Sequence, residues 1–388
     1  MSAADTPELG SAIRHEWLLD PDWLTVNHGS FGATPKSVLA VQEDWRRRME
    51  AQPSRFMRMI LPDALRAAAD GMARFMGAEG KDLAFLDNAT TGCNAVLRSR
   101  RLQPGDEVLV LTHGYGAVRN TVRYVTELAG ARMTEAALPF PHPDADRIVA
   151  VLAEAITPRT RLAVLDHITS PSALVLPLAR MIAACHARGV PVLVDGAHGP
   201  GQVDIDLRTL GADWYVGNCH KWLCAPKGAA FIWASPERQE GLHPVTISHG
   251  YGKGFLEEFD WTGTRDFSAF LAVPAAIEFH DRLGGPALRA RNIALAAQAT
   301  ALIARRLNTE PGATGELAGS MGVVRLPITG DVSAERARVL RQHLLDRRTD
   351  VPLHAIADGI WMRISAYAYN ELADYEKLAE VAARVLRS

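Results

Sequence analysis

An alternation of short apolar runs with amphipathic segments between residues 105 and 200 constrains the fold of this chain more than any other feature. The apolar runs have the length of strands, and the segments between them carry apolar residues at helical spacing. We predict strands at 107–112, 161–166 and 191–194, and helices at 118–129, 148–156 and 178–188. Because such alternation is typical of a mostly parallel sheet covered by helices on both faces, the predicted fold class is α/β.

Polar residues lie close to the ends of these strands and of a further predicted strand at 214–217. In chain order they are Tyr115, Ser170, Asp195, His198 and Lys221. Ligands of open α/β sheets bind beyond the carboxyl ends of the strands, which all meet at one edge of the sheet. We therefore expect these side chains to share a site.

Lys221 and Asp195 are the two groups on which the functional hypothesis depends. A lysine can hold pyridoxal 5′-phosphate (PLP) as an imine, and a carboxylate can keep the pyridine nitrogen of that cofactor protonated. Lys221 stands between His220 and Trp222 shortly after a predicted strand, which is an unusual place for a solvated lysine. Taken alone, Lys221 is an ordinary surface lysine and Asp195 a helix cap. Their combination favours PLP.

The segment after a predicted strand at 83–86 has the composition of an anion site. A short polar turn that includes Ala89 and Thr90 leads into a helix, whose free N–H groups and dipole favour a phosphate. The simpler alternative is an N-cap that binds no ligand. The turn lacks the Gly-Lys-Ser/Thr pattern of a Walker motif, which argues against a nucleoside triphosphate.

The pattern of elements changes after residues 284–286, where Gly-Gly-Pro interrupts the chain. We divide the chain into an N-terminal lead-in at 1–22, a large domain at 23–283 that binds the cofactor, and a small α+β C-terminal domain at 284–388. A length of 388 residues suits about two to three domains.

Charge and composition narrow the choice of partners and location. A net charge of −2 gives no reason to expect a nucleic acid or an anionic membrane as a partner. No apolar run approaches the roughly 20 residues of a membrane-spanning helix, and the N-terminus lacks the apolar core of a secretory signal. The four cysteines have no framework spacing, which predicts a reduced, cytoplasmic protein.

The histidines are numerous enough to suggest a metal site, but their spacing argues against one. His28, His167, His198 and His220 come from four separate turns. Structural zinc ligands usually occur as closely spaced pairs, and none of these histidines belongs to such a pair. We therefore predict no bound metal.

Six segments together resemble a known family. They are Asn27–Gly32, Asn88–Gly92, Asp195–His198, Asn218–Trp222, Trp261–Arg265, and Arg363–Ser365 followed by Tyr369-Asn370. This set resembles class V aminotransferase-fold PLP enzymes, and among them the isopenicillin N epimerase-like branch. The resemblance covers about residues 23–385. It implies the PLP-dependent transferase fold (type I), with a mostly parallel sheet in the large domain and a small α+β C-terminal domain.

The resemblance also implies a role for individual residues around the cofactor. Lys221 would hold PLP and move the Cα proton, Asp195 would pair with the pyridine nitrogen, and His198 would hydrogen-bond the phenolic oxygen. Ala197 would lie under the ring, and Tyr115 would stack on it. Further implied cofactor contacts are Ala89, Thr90, Ser170, Asn218 and His220, with Thr264 reaching the phosphate of the neighbouring subunit. A homodimer with shared active sites follows from the last contact.

The same resemblance implies an amino-acid substrate. Arg363 would bind its α-carboxylate as a bidentate pair, with Asn27 and His28 close by. The catalytic candidates are accordingly Lys221, Asp195, Tyr115 and His198.

Several reactions share this set of groups. We rank epimerisation or racemisation at Cα first, which needs a second acid/base opposite Lys221, and Tyr115, His28 and His354 are candidates. The alternative is a β-eliminating C–S lyase acting on a cysteine derivative or sulfoxide, and transamination also stays open. A catalytically inactive PLP-fold binding module is a remote alternative, because Lys221, Asp195 and Arg363 are all present.

One reaction is argued against by the sequence. Cysteine desulfurases of this fold need a nucleophilic cysteine in a loop of the small domain, just before the arginine strand. The corresponding segment, 351–359, has no cysteine, and none follows Cys224. Without a thiolate to accept sulfur, we expect no persulfide-forming cysteine desulfurase.

Overall fold

The computed structural model describes residues 7–387 of the chain. Residues 1–6 and Ser388 lie outside the described part, so the predicted lead-in is described only from residue 7 onward. It contains a short 3₁₀ helix, Ser11–Glu16. The ring of Trp17 then packs edge-on against Phe279 and Tyr369, which anchors this segment to the body of the protein.

The strands form two sheets and one additional strand pair. In chain order they are β1 (Leu24–Thr25), β2 (Leu83–Leu86), β3 (Glu107–Leu111), β4 (Arg132–Ala136), β5 (Thr160–Asp166), β6 (Val192–Asp195), β7 (Trp214–Asn218), β8 (Ala230–Ala234), β9 (Met321–Arg325), β10 (Thr349–Asp350), β11 (Leu353–Ile356) and β12 (Gly359–Ser365). The large sheet has the order β2-β8-β7-β6-β5-β3-β4, the small sheet has the order β11-β12-β9, and β1 pairs with β10.

The helices pack around these sheets. In chain order they are α1 (His28–Phe31), α2 (Lys36–Ala51), α3 (Pro53–Arg55), α4 (Leu61–Phe75), α5 (Ala89–Ser99), α6 (Gly116–Ala129), α7 (Ala145–Ala155), α8 (Leu178–His186), α9 (Leu207–Leu210), α10 (Phe255–Phe259), α11 (Ser268–Leu271), α12 (Val273–Arg282), α13 (Pro286–Leu307), α14 (Ala334–Leu345) and α15 (Leu372–Val385). A π-helical turn, Phe56–Ile60, joins α3 to α4.

The large sheet confirms the predicted α/β class. Its strands are parallel except β8, which runs antiparallel to both of its neighbours, β2 and β7. Successive residues of β3 belong to different apolar clusters, with Val108 on one face and Leu109 on the other. Both faces of the sheet are therefore buried, because side chains alternate across a strand.

The small antiparallel sheet has a core of its own. That cluster draws on α13, α14, α15 and the strands β9, β11 and β12, and it also includes Val26. β1 pairs in parallel with β10, so the residues just after the lead-in belong physically to the C-terminal unit. The domain boundary at 283/284 stays a prediction, to which the structure adds this N-terminal strand.

Three local assignments differ from the sequence prediction. Residues 243–264 are rich in Gly, His and aromatic residues, which predicts a loop, but they contain α10. The segment 351–359, expected to be a loop, contains the strand β11, which pairs with β12. The sequence also predicts one helix at 270–283, but α11 and α12 form there, with Pro274 in the first turn of α12. Short elements held by tertiary pairing carry too few residues for a periodic signal.

No helix within residues 7–387 is long and apolar enough to cross a membrane.

Candidate active site

The turn between β7 and β8 presents Lys221 at the carboxyl edge of the large sheet. The N–H of Cys224 donates to the carbonyl of Lys221 at 3.1 Å, and Cys224 adopts a positive φ of 60°. Gly32, also at positive φ, packs so closely that an added Cβ would lie 1.9 Å from the carbonyl oxygen of His220. Only a glycine fits at that contact, so the segment before α2 packs directly against the backbone of the lysine turn.

The ammonium group of Lys221 is removed from water. Its Nζ lies 3.1 Å from Nε2 of His198. The pKa of Lys221 is lowered to about 7, mainly by burial and also by the charge of nearby Arg363, while the charge of Asp195 opposes the shift. A large fraction of this lysine is therefore neutral at physiological pH, which makes it both a nucleophile and a base.

The hydrogen bonds of His198 define which of its nitrogens carries the proton. The indole N–H of Trp222 donates to Nδ1 at 3.3 Å, and burial lowers the pKa of His198 well below its usual value. An indole has only a donor, so Nδ1 must accept and the neutral imidazole carries its proton on Nε2. His198 therefore presents an N–H to Lys221, and it would present the same donor to a phenolic oxygen.

Asp195 ends β6 beside Asp166, which ends β5, and the two are register partners. Burial and the charge of Asp195 raise the pKa of Asp166 well above its ordinary value. Burial also raises the pKa of Asp195, whereas the N–H of Ala197 and the charge of Lys221 oppose that shift. The pair thus favours a protonated Asp166 next to an ionised Asp195.

Asp166 was not selected from the sequence, although it shares with Asp195 the feature that led to the selection of Asp195. Both residues are acids directly after a buried apolar strand. Asp166 was taken only as a strand end. The backbone N–H of Tyr115 donates to its carboxyl group, so Asp166 also fixes the start of α6.

The predicted phosphate contacts meet at the N-terminus of α5. Asn88 caps this helix, accepting the N–H of Thr91 at 2.9 Å, and Asn218 accepts the N–H of Ala89 at 2.9 Å. Thr90 lines the cavity next to them. The asparagine side chains therefore order the turn, while the hydroxyl of Thr90 and the helix end face the cavity.

His220 lies near this helix end, in the neutral state. Its Nδ1 lies 3.2 Å from the carbonyl of Ala229, and burial lowers its pKa to about 4. Because Nδ1 must donate to that carbonyl, Nε2 is free to donate only when the ring is protonated. A phosphate dianion next to Nε2 would favour that protonation.

Arg363, on β12, does not itself line the cavity, but it contacts two residues that do, Ser30 and Ser170. Its Nη1 donates to the carbonyl and the hydroxyl of Ser170 at 2.6 and 3.1 Å, and its Nη2 donates to the hydroxyl of Ser30 at 2.9 Å. Arg363 is 3% exposed, and its Nε has no partner in the described part of the chain. The predicted cofactor ligand Ser170 thus contacts the arginine directly.

The two other predicted substrate residues, like Arg363, do not line the cavity. Asn27 is bonded to Ser30 and Asp350, and it reaches the cavity only through Ser30. His28 is buried behind Lys221, with Nε2 at 3.0 Å from the lysine carbonyl and its ring stacked on Tyr367. This placement corrects the prediction for His28: with both ring nitrogens engaged inside the core, it supports the lysine turn and does not bind substrate.

His354 and Thr264 also lie outside the cavity within one chain. Burial lowers the pKa of His354 to about 3, and its Nε2 is buried without a partner in residues 7–387. Thr264 borders a separate hollow of about 520 Å³ together with Met57, His249 and Trp261. Thr264 can contact the cofactor only if a second subunit brings it there.

The side chains described above surround one cavity of about 390 Å³. The predicted residues that line it are Ala89, Thr90, Tyr115, Ser170, Asp195, Ala197, His198, Asn218, His220 and Lys221. The residues that the sequence analysis did not select are Ser30, Phe31, Asn88, Asp166 and Ile168. Tyr115 is 44% exposed, so it lies at the mouth. The predicted residues from separate strands and turns are thus brought together, as the topology of a parallel sheet requires.

The sequence model of the family described as Aminotransferase class-V matches residues 32–378. This chain belongs to the class V aminotransferase family. It is 35% identical over 403 residues to an Arabidopsis thaliana protein named probable L-cysteine desulfhydrase, chloroplastic, covering 96% of this chain and 84% of that protein. It is 34% identical over 403 residues to isopenicillin N epimerase of Streptomyces clavuligerus, covering 98% of each chain. The predicted resemblance is confirmed.

A solved structure agrees with this class V fold. C-DES, described as a cystine C–S lyase, matches with a TM-score of 0.78 and 22% identity, covering 93% of this chain and 98% of C-DES. In another structure of C-DES, glycine is covalently linked to the PLP cofactor. The fold class is confirmed, and the cofactor of this class V enzyme is PLP.

The residues of the cavity fit that cofactor. Asp195 is a buried carboxylate whose hydrogen bond comes from the N–H of Ala197, and no arginine or lysine within residues 7–387 forms an ion pair with it. A buried carboxylate is costly without a cationic partner, and a pyridinium N–H supplies one. Lys221, on the same cavity, supplies a largely neutral amine for the imine.

Proposed function

We propose that this protein is a PLP-dependent β-eliminating C–S lyase that acts on L-cysteine or an S-substituted cysteine. The sequence analysis ranked epimerisation first and this reaction second. The order changes because of where the structure places the acid/base candidates. One amine base poised near neutrality, Lys221, lines the cavity, whereas His28 and His354 lie buried outside it.

β-Elimination needs no second base on the opposite face. When bound, PLP holds the substrate nitrogen and accepts the electron pair left at Cα. Lys221 removes the Cα proton and can return it to the leaving sulfur, because its pKa of about 7 suits both directions of transfer. With L-cysteine and one water, the products are pyruvate, ammonia and hydrogen sulfide.

The other residues of the cavity orient the substrate and the cofactor. Arg363 would pair with the α-carboxylate, since it is buried, is bonded only to neutral oxygens, and contacts the cavity residues Ser30 and Ser170. Asp195 would keep the pyridine nitrogen protonated, and His198 would donate from Nε2 to the phenolic oxygen. Asp166 holds its own proton and leaves the negative charge on Asp195.

The cysteines of the chain support release of sulfide rather than its capture. Cys93, Cys185, Cys219 and Cys224 are all buried, and burial raises the pKa of each thiol. A protonated thiol without access to the cavity is a poor acceptor of sulfur. The names of the plant relatives, L-cysteine desulfhydrases, agree with this reading.

Epimerisation is the second candidate because of Tyr115. Its ring lines the mouth of the cavity and is the one candidate for a second acid/base that the structure leaves there. The isopenicillin N epimerase relatives agree with this alternative.

The deciding experiment incubates the holoenzyme in heavy water with L-cysteine, L-cystine and several S-substituted cysteines. The lyase produces pyruvate and ammonia, and Tyr115→Phe retains most of that activity because the ring is preserved. Lys221→Ala is the inactive control. Inversion at Cα without pyruvate, lost in Tyr115→Phe, would instead identify an epimerase. No product from any substrate would count against both.

We also propose a homodimer with shared sites. Phe31, which lines the cavity, is exposed, and so are Met59, Ile247 and Tyr251, each within two residues in sequence of a residue that lines the hollow around Thr264. Contiguous exposed apolar patches mark interfaces between proteins. Mixing inactive Lys221→Ala chains with inactive Thr264 variants tests it: partial recovery of activity is expected for shared sites, and none for independent ones.

A further inference from the structure

A continuous chain of hydrogen bonds runs from Arg363 away from the cavity. Nη2 of Arg363 donates to Oγ of Ser30 at 2.9 Å, and Oγ of Ser30 donates to Oδ1 of Asn27 at 2.6 Å. Nδ2 of Asn27 then donates to Oδ2 of Asp350 at 2.8 Å. The chain of bonds therefore joins the substrate arginine to a carboxylate that does not line the cavity.

The carboxylate at the far end sets the direction of the two hydrogen bonds made by Asn27. A carboxylate only accepts, so Asn27 must turn its NH₂ group to Asp350 and its carbonyl oxygen to Ser30. The hydroxyl proton of Ser30 is used by that carbonyl, which leaves the lone pairs of Ser30 for Arg363, whose guanidinium can only donate. Asp350 thus fixes, through Asn27, the orientation of the hydroxyl that accepts from the guanidinium.

Asp350 is itself held firmly. It lies in β10 and is the register partner of Thr25 in β1. Its Oδ1 accepts from Nη2 of Arg341, on α14, at 2.7 Å. The two carboxylate oxygens therefore serve different partners: one faces an arginine on the outer helix, and the other faces Asn27.

Arg363 needs such support because it has no acid in direct contact. Ser170 holds one nitrogen and Ser30 the other, and both are neutral. Burial lowers the pKa of Arg363 to about 10, Arg341 lowers it as well, and Asp350 opposes them. Neutral acceptors fix the orientation of the guanidinium while leaving its charge available to an incoming anion.

We propose that Asp350 is a positioning residue for amino-acid substrates: acting through Asn27 and Ser30, it holds Arg363 in the orientation that receives the α-carboxylate. The inference rests on the proposed function, in which Arg363 binds that carboxylate. It extends the machinery beyond the cavity, into the strand pair β1–β10.

The competing explanation is that Asp350 acts only through its charge. Removing a negative charge near Arg363 would then strengthen the attraction for a carboxylate, and removing Arg341 would weaken it. Positioning predicts the opposite sign for Asp350. In Asp350→Asn, the new amide keeps its oxygen on Arg341 and turns its NH₂ group to Asn27. Asn27 must then turn its own NH₂ group to Ser30, which reverses the direction of the hydrogen bonds and leaves the Ser30 proton without an acceptor.

The test measures ligand binding by the visible spectrum of the holoenzyme. Glycine and methylamine are a matched pair, because they differ only in the carboxylate and neither can undergo β-elimination. The variants are Asp350→Asn, Asn27→Leu, their double mutant, and Ser30→Ala, which interrupts the chain of bonds next to Arg363. Arg341→Met is the control, since it removes the outer partner of Asp350 and leaves the relay intact.

We expect Asp350→Asn to raise the dissociation constant for glycine by about 3- to 10-fold, the loss of roughly one hydrogen bond, with methylamine unaffected. Asn27→Leu and Ser30→Ala should show the same selective loss. In the Asn27→Leu background, Asp350→Asn should add nothing, because the relay is already broken. Arg341→Met should stay within about twofold of the wild type. KM for L-cysteine should rise with kcat little changed.

Three results would overturn the inference alone. They are tighter glycine binding in Asp350→Asn, losses that add in the double mutant, and unchanged glycine binding in all relay variants with a normal wild-type response. A wild type that responds to no amino acid would instead overturn the proposed function, and this inference with it. Thermal unfolding and the cofactor spectrum of each variant separate loss of fold from loss of positioning, and Ser30→Ala keeps the test open if Asp350→Asn fails to fold.

Discussion

Replacing Lys221 by methionine should stabilise the cofactor-free protein at neutral pH. Burial lowers the pKa of this lysine from its ordinary 10.5 to about 7. Between those two pH values the unfolded chain binds a proton that the folded chain does not, so the folded state is penalised there and below. Stability rises with pH across that window as the penalty is relieved.

The pKa values convert into a magnitude. At pH 7 a folded pKa of about 7 costs about 4 kcal/mol relative to a neutral side chain, and at pH 9.5 it costs about 1.4 kcal/mol. Lys221→Met also loses the contact with His198, worth about 1 kcal/mol. The expected gain is therefore about 3 kcal/mol at pH 7, falling below about 1 kcal/mol at pH 9.5.

Urea unfolding of the cofactor-free proteins, followed by tryptophan fluorescence at both pH values, measures this difference. Lys81→Met is the matched control, because Lys81 is exposed and its pKa is raised by Glu79, so it stays protonated in both states. That variant should show no pH-dependent gain. A Lys221→Met protein that is equally stabilised at both pH values, or destabilised at pH 7, would refute the assignment of a buried, near-neutral lysine.

Three further predictions follow from the contacts around the lysine. In the wild type, ¹⁵N NMR should show the proton of neutral His198 on Nε2 alone, whereas Trp222→Phe should populate both neutral tautomers. Identical spectra of the two proteins would contradict the role given to the indole. His28→Leu should lower the free energy of unfolding by about 2–4 kcal/mol because two buried hydrogen bonds are lost, and it should shift KM for L-cysteine less than about twofold. A large rise in KM with unchanged stability would instead show that His28 belongs to the substrate site. Iodoacetamide should leave sulfide release by the native holoenzyme intact because the four cysteines are buried, and inactivation that follows alkylation would point to a thiol in the mechanism.

The elements that the sequence predicted well are those with a strong periodic signal. β2, bounded by Leu83 and Leu86, matches its predicted range, and the long helices and buried strands of the large sheet are displaced by only a few residues. Their apolar residues recur at the spacing of the element itself, so the local pattern is sufficient. The short strand β11 was missed because its pairing with β12 is tertiary.

The candidate site divides in the same way. Lys221, Asp195 and His198, which line one cavity, were selected because each follows an apolar strand and because the family resemblance gives each a role. Asp166 carries the same signal and was passed over. His28 was misplaced because a histidine after a short strand can turn toward the cavity or into the core, and the sequence does not say which.

By itself, the sequence indicated the α/β class, the family and the cofactor, and it predicted a lysine and a carboxylate to serve that cofactor. The class follows from periodicity, and the family and the cofactor follow from short motifs, all of which are local. Only the tertiary structure decided the lowered pKa of Lys221, the tautomer of His198 and the relay from Asp350 to Arg363. Each of these depends on burial or on contacts between segments hundreds of residues apart, as between Asn27 and Asp350, and no local pattern encodes the meeting of such segments.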